Sequence, residues 1–457
     1  MIFNIYKINY KVLKKFLVIY ILLFFSCTNN DVTYIGGKIL KKTSNEISIL
    51  KDEKLIRNIP VNEDGIFFSK LDDLEDGLYN FIHLPEFQYL IIENGDSLVL
   101  RLNVLDFDES LVFTGKGSSK NNYLIDIFLK HEQEENFIKS KFNSNNSKFL
   151  KTVDSLLKIK NNNFIKFKNS NKTNKSTKLI LEYAIKLPIY SSVETYISNL
   201  KNPLNSNEIY KFRDDVDLNL ESLSHFKPYL EYIISRTFNE SYQLQKNNTN
   251  SSLSYNLNRI DFVNNNIIHP LIKTKILRYI AYEYLLEESE LINIDTFLYK
   301  FLQSSNNDET NNEINELYDN IISLQKGKQI SKIDLINENG LLKNITKFNN
   351  ENPVIFVFWS YDQNSHQIGL FNRINKILNN NTNYDFHTIN INSDNQKWKN
   401  IVKNLKKRNN LKHFRSVNFE DMSKKMVLNN LNKVIITDNK GQIDSILNIT
   451  ELENFLK

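Results

Sequence analysis

The sequence predicts an α+β multidomain chain with an N-terminal antiparallel β-sandwich, a central α-helical domain and a C-terminal α/β fold. Three observations carry that reading. Short alternating apolar runs, divided by turn residues, fill Tyr34 to Thr114. Apolar residues then recur at intervals of three and four from about Ser118 to Ser331. Near the end, the unbroken run Val354-Ile355-Phe356-Val357-Phe358-Trp359 gives way to a polar break and a stretch in which Ile368, Phe371, Ile374 and Leu378 return at helical spacing. A chain of 457 residues suits about three domains. The boundaries fall at 1–26 for a leader, 27–117 for the sandwich, 118–330 for the helices and 331–457 for the α/β part.

The leader comes first. Lys7, Lys11, Lys14 and Lys15 form a positive region, Phe16 to Phe25 an apolar core, and Ser26-Cys27 precedes the polar Thr28-Asn29-Asn30-Asp31. The apolar run is too short to span a bilayer comfortably and fits an export signal. Cys27 is the sole cysteine of the chain, which excludes an intrachain disulfide, a cysteine zinc cluster and a dithiol redox centre together. The site resembles a bacterial lipoprotein signal, in which the thiol takes a diacylglyceryl group and the chain is cut before it. That resemblance implies lipid attachment at Cys27 and a bilayer as partner. The same residues also fit an ordinary export signal, or an uncleaved anchor, with an incidental thiol.

In the sandwich, strands are expected at 47–50, 55–59, 66–68, 78–82, 89–92, 98–102 and 111–113. Asp64-Gly65 and Asn94-Gly95-Asp96 are turn signals. Asp76-Gly77-Leu78-Tyr79 fits a corner where a tyrosine hydroxyl ties a loop to the sheet. The helical stretch is broken near 143–147, 169–175, 246–252 and 304–312, and Pro188, Pro203, Pro228 and Pro270 are expected near segment ends. The last part reads as strand 354–358, helix 365–379, strand 386–391, helix 398–408, strands 433–437 and 442–447, and a terminal helix 450–456. Its sheet is mixed, opening on a βαβ crossover.

The stretch from Phe358 resembles the active-site segment of thioredoxin-fold proteins, above all the TlpA-like thiol-disulfide reductases, which read Phe-Trp-Ala-x-x-Cys-x-x-Cys. Phe358 and Trp359 match, Ser360 stands at the small position, and the two cysteines fall on Gln363 and His366. The family's cis-proline falls on Asn432, six residues before the Asp438 of Asp438-Asn439-Lys440-Gly441. The resemblance covers about the last 125 residues and implies a thioredoxin-like fold. In the family an acidified thiolate attacks a disulfide and a second cysteine resolves it. Neither a carboxamide nor an imidazole does that, so the fold is expected without its redox chemistry. The front segment resembles the small β domain that precedes the thioredoxin-like part in many such lipoproteins. It does so through Asp64 to Phe67, Gly77 to Tyr79, Glu93 to Asp96, and Phe113 to Ser118 ahead of Asn121-Asn122-Tyr123-Leu124.

Other chemistries find little support. A net charge of +5, with lysines and acids interspersed, implies no nucleic-acid surface. Among seven histidines no pair shows metal-ligand spacing, and His131-Glu132 lacks the second histidine of a zincin helix. Glycine numbers eleven, and neither a P-loop nor a dinucleotide fingerprint occurs, so no cofactor is expected. Trp359 reads as core. His366 beside Ser360 or Ser365 is the one local nucleophile-and-base candidate. The expectation is an exported lipoprotein of the cell envelope, in the outer membrane facing the periplasm, with a redox-inactive thioredoxin-like domain that binds an envelope protein or ligand. The alternative is an enzyme using a non-cysteine site around His366.

Overall fold

The computed structural model describes residues 32–72, 74–200, 207–245, 252–347, 351–380, 383–405 and 411–456. The leader and Cys27 lie outside the described residues. Two compact units emerge, one holding the described residues up to 245 with 265–272, the other holding 252–264 and 273–456. The helical stretch is therefore shared between them. Among the described residues no helix is long and apolar enough to cross a membrane.

The first unit opens with two four-stranded sheets. One runs β4-β1-β7-β8, from Ile66–Leu71 (β4), Thr33–Leu40 (β1), Ser97–Asn103 (β7) and Val112–Lys116 (β8). The other runs β3-β2-β5-β6, from Lys54–Pro60 (β3), Glu46–Lys51 (β2), Gly77–His83 (β5) and Glu86–Ile92 (β6). Alternation along the strands sends Ile35, Phe67, Leu98 and Leu100 of one sheet, and Ile49 and Phe81 of the other, into a shared core. The expectation of a purely antiparallel sandwich needs one correction, because β1 and β7 pair in parallel. The long excursion through β2 to β6 lets β7 return beside β1 running the same way.

The predicted turns form. Gly65 takes φ 76°, and a Cβ there would strike the carbonyl of Ile39. Tyr79 makes the expected corner, its hydroxyl donating to the Glu75 carbonyl at 2.6 Å.

A charged joint follows the sandwich, where Lys120 lies in the first turn of α2 (Ser118–Lys139), after the single helical turn α1 (Phe107–Ser110). Lys120 reaches Asp96 at 2.6 Å and Glu93 at 3.6 Å, with the Lys120 and Asp96 side chains only 3% and 4% exposed. Asn121 exchanges two hydrogen bonds with the backbone of Ile91 (2.7 and 2.9 Å), and Asn122 two with that of Phe113 (both 2.8 Å). Ile91 and Phe113 lie on β6 and β8, one edge strand from each sheet, so two consecutive amides close both edges.

Helices α3 (Asn146–Ser170), α4 (Lys175–Ser198) and α5 (Lys227–Gln245) continue the unit, and Asn145 and Asn174 cap the first two at the expected breaks. Pro188 departs from expectation, since it lies inside α4 rather than near an end. Its neighbours Leu187 and Ile189 are fully buried, and that packing outweighs the roughly 3 kcal/mol a mid-helix proline costs. Pro203 lies outside the described residues.

The second unit joins α6 (Ser252–Asn266) up to 264, α7 (Pro270–Glu287) from 273, α8 (Leu291–Ser304) and α9 (Asp308–Ser323) to a seven-stranded sheet. Its strands are β9 (Asp334–Asn337), β10 (Leu342–Asn344), β11 (Val354–Trp359), β12 (Asp385–Asn390), β13 (Leu411–Ser416), β14 (Lys433–Thr437) and β15 (Ile443–Asn448), ordered β10-β9-β13-β12-β11-β14-β15. β11, β12 and β13 are parallel, linked by α10 (Asn364–Asn380) and α11 (Asn395–Lys403). After α12 (Phe419–Lys425), the hairpin β14-β15 pairs antiparallel to β11, and α13 (Leu452–Phe455) closes the chain. A βαβ unit and a ββα unit meeting at β11 and β14 make the thioredoxin-like arrangement that the sequence predicts. Ile355, Val357 and Trp359 pack against Phe371, Ile374 and Trp398, while Phe356 and Phe358 are as deeply buried on the opposite face. The strands absent from the sequence expectation are β1, β13 and the β9-β10 hairpin, and the short helices α1 and α12 are absent from it too.

Candidate functional site

β11 is buried at every position, which is why it reads as one apolar run, and it delivers Ser360 to Gln363 at its carboxyl end. A polar network from the end of β12 holds that loop. The Asn392 Oδ1 accepts from the Ser360 hydroxyl (2.9 Å) and the Tyr361 amide (3.0 Å), while its Nδ2 donates to Asp362 (2.7 Å). Asn390, fully buried, donates to the Trp359 carbonyl at 3.3 Å and to Asn392 at 3.2 Å. The Asp362 amide donates back to Ser360 Oγ at 3.1 Å. Lys397 pairs with Asp362 at 3.2 Å and sits 4.0 Å from the Tyr361 ring centroid. Asn390, Asn392 and Lys397 were not among the residues singled out from sequence. The repeated Asn-x-Asn at the end of a predicted strand was the available signal.

The positions matched to the reactive pair stand at this junction. Gln363 is exposed and its carbonyl accepts from the Gln367 amide at 2.9 Å, opening α10, and His366 lies in the first turn of that helix. Both His366 ring nitrogens are shielded from solvent and have no hydrogen-bond partner among the described residues. The imidazole is therefore not hydrogen-bonded to Ser360 or Ser365, and the Ser360 hydroxyl is committed to Asn392. Asn432 is exposed just before β14. Since Val357 pairs with Val434, extending the register two places sets Asn432 level with Trp359, at the same end of the sheet. Trp359 belongs to the core, edge-on to Phe371 with ring centroids 5.3 Å apart.

The strongly shifted imidazoles are elsewhere in the sheet. His387 sits between Phe356 and Phe414, at centroid distances of 5.4 and 5.1 Å, and burial, then the nearby Lys412, push it down to about 3. His413 meets the Thr388 hydroxyl at 2.8 Å, and burial pushes it down to about 4. Lys433, beside Asn432, is pushed down to about 8 by burial and donates to the Val427 carbonyl at 2.9 Å. A cavity of about 250 Å³ in this unit is lined by Tyr282, Leu286, Leu317, Val427 and Leu428 among others, and takes in none of Gln363, His366 and Asn432.

No family model matches the chain, and no curated protein does. The chain is similar to several solved thioredoxin-like thiol-disulfide oxidoreductase domains over about 30% of its length. One is the thioredoxin domain of a thiol-disulfide oxidoreductase from Bacteroides vulgatus, at 16% identity and TM-score 0.24, covering 30% of this chain and 100% of that one. Another is a thiol:disulfide interchange protein from a Bacteroides species, at 16% identity and TM-score 0.24, covering 29% and 91%. A third is an exposed lipoprotein thioredoxin from Streptococcus pneumoniae, at 13% identity and TM-score 0.23, covering 28% and 98%. The fold itself rests on the strand order given above.

Thiol chemistry at such a junction needs a nucleophilic sulfur at the start of the helix. Here that turn offers amides, a hydroxyl and an imidazole, and in the loop behind it Ser360, the Tyr361 amide and Asp362 are bonded to Asn392. What remains is a surface whose loop is held by Asn392 and whose imidazole has no hydrogen-bond partner among the described residues.

Proposed function

We propose that this chain is a membrane-anchored lipoprotein of the cell envelope whose thioredoxin-like domain performs no thiol-disulfide exchange and serves as a binding or assembly module. The observation behind the reading is that Gln363 and His366 occupy the strand-to-helix junction while the chain's sole cysteine is Cys27. With lipid on Cys27, the Thr28 that follows it, where an aspartate would favour retention in the inner membrane, supports a place in the outer membrane facing the periplasm, with a protein or ligand of the envelope as partner. Cells fed radiolabelled palmitate test the anchor, with label expected in the wild-type chain and lost in Cys27→Ser. The full-length protein extracted from those membranes is then given a fluorescent glutathione disulfide and dithiothreitol. Turnover at the uncatalysed rate supports the reading; turnover that His366→Ala abolishes overturns it.

A further inference from the structure

Among the described residues, the outward face of the β4-β1-β7-β8 sheet exposes apolar side chains side by side. Alternation points Ile66, Phe68, Val99 and Val112 away from the core, and these are 49%, 67%, 48% and 52% exposed. They are neighbours rather than scattered residues. Register sets Gly36 between Phe68 and Val99, and Lys38 between Ile66 and Arg101. The glycine matters here, because a Cβ at 36 would meet the Phe68 ring at 2.9 Å. Without it that ring lies beside Tyr34, nearly parallel, with centroids 5.8 Å apart and an interplanar angle of 20°. Around this apolar shelf stand Lys38, Lys70, Arg101 and Lys116, and no outward strand position on the face carries a carboxylate. Lys70 meets Asp72, just past the end of its strand, at 2.7 Å.

We propose that this face rests on an anionic lipid surface, that of the membrane holding the chain. The proposal rests on the reading of Cys27 as the lipid anchor and says which surface of the sandwich the anchor brings to the bilayer. β1 starts at Thr33, six residues beyond Cys27, and six extended residues span at most about 20 Å. The sheet is thus tethered within reach of the headgroups by one of its own central strands. Aromatic and aliphatic side chains in the middle and cations around them are what an interfacial surface needs, the first entering the headgroup boundary and the second meeting lipid phosphates. A second copy packed face to face would set Lys38 and Arg101 against their own equivalents, a like-charge contact.

The test uses the full-length chain made in bacteria, extracted from membranes and returned to vesicles, with Val99→Cys carrying an environment-sensitive fluorophore. Leu55→Cys, on the other sheet and 56% exposed in the native residue, is the control. In phosphatidylglycerol vesicles bearing nitroxide lipid, position 99 should lose at least about half its emission and position 55 almost none. Adding Lys38→Glu and Arg101→Glu should restore the emission at 99, and phosphatidylcholine vesicles should quench it less. Equal emission at 99 and 55 in protein that floats with the vesicles overturns the proposal while leaving the anchor intact. Quenching at 99 that ignores the charge reversals overturns it too, as does concentration-dependent loss without nitroxide, which would mean a second copy. If wild-type protein takes up maleimide at Cys27, the anchor reading has failed. The Cys27→Ser, Val99→Cys chain added to preformed vesicles then decides the face by the same quenching.

Discussion

The joint after the sandwich and the loop after β11 are both closed by asparagine side chains acting as substitutes for backbone. They differ in what lies beside the amides. At the joint, Asn121 and Asn122 flank a Lys120–Asp96 pair that is almost wholly buried. At the loop, Asn392 works with neutral partners and with an Asp362–Lys397 pair whose side chains are 63% and 51% exposed. Burial raises the Asp96 carboxyl above its ordinary value, outweighing the lysine that lowers it. The comparison teaches that one device, an amide bonded to a strand or loop backbone, works beside a buried charge pair in one region and beside an exposed one in the other.

Two of the second unit's buried ionisable groups are imidazoles of its sheet, and they set the largest expected effect. The unfolded chain takes up protons on both near pH 6.5, whereas the folded sheet holds His387 and His413 neutral until about pH 3 and 4. Both folded values are depressed, so their stability is full above pH 6.5 and is lost as pH falls toward those values. The loss is on the order of 8 kcal/mol by the bottom of that window. Both tryptophans, Trp359 and Trp398, lie in this unit, so urea unfolding followed by tryptophan emission reads it directly. His387→Phe should leave a visibly shallower dependence between pH 6 and pH 4, values within the window set by those shifts. An unchanged slope would remove His387 from the account.

At the joint, Lys120→Met should cost about 3 kcal/mol, because it strands Asp96 without its cation. Far-UV circular dichroism in urea measures the loss. Adding Asp96→Asn should return a good part of it, since the neutral pair no longer confines a lone charge. If the single and double variants were equally unstable, the joint would owe its strength to packing, and the contrast with the loop would collapse.

These two regions were not equally legible in the sequence. β11 and α10 announced themselves because a strand buried on both faces gives an unbroken apolar run and the helix a clear period. The Tyr79 corner and the Asp64-Gly65 turn were equally local. β1 was missed because Gly36-Gly37 interrupts its alternation, and β13 because Lys412, His413 and Arg415 fall within six residues that pair on both sides. Asn121 and Asn122 were visible as a motif, yet their partners lie 30 and 9 residues away in the chain. Asn392 meets Ser360 across 32 residues, and no local composition marks one asparagine among so many as the one that turns back. The parallel β1-β7 pair was invisible for a related reason, since direction is decided by the path between strands rather than by either strand.

The smallest effect is expected at that loop, and it sharpens the contrast by its form as well as its size. Asn392→Ala removes an acceptor shared by the buried Ser360, by Tyr361 and by Asn390, and a donor to the exposed Asp362, where solvent can take its place. The cost should be about 1 to 2 kcal/mol, with faster hydrogen exchange at the Tyr361 and Asp362 amides. Asn392→Asp separates the two halves of the amide's work. It keeps the acceptor for Ser360 and Tyr361 but sets a carboxylate against Asp362, so near neutral pH it should be the worse variant despite its closer shape. Acidification that protonates either carboxyl should then narrow the gap between Asp and Ala. If Asp and Ala were instead alike at every pH, the bond from Asn392 to Asp362 would not be what holds the loop, and Lys397 would be the group to test next.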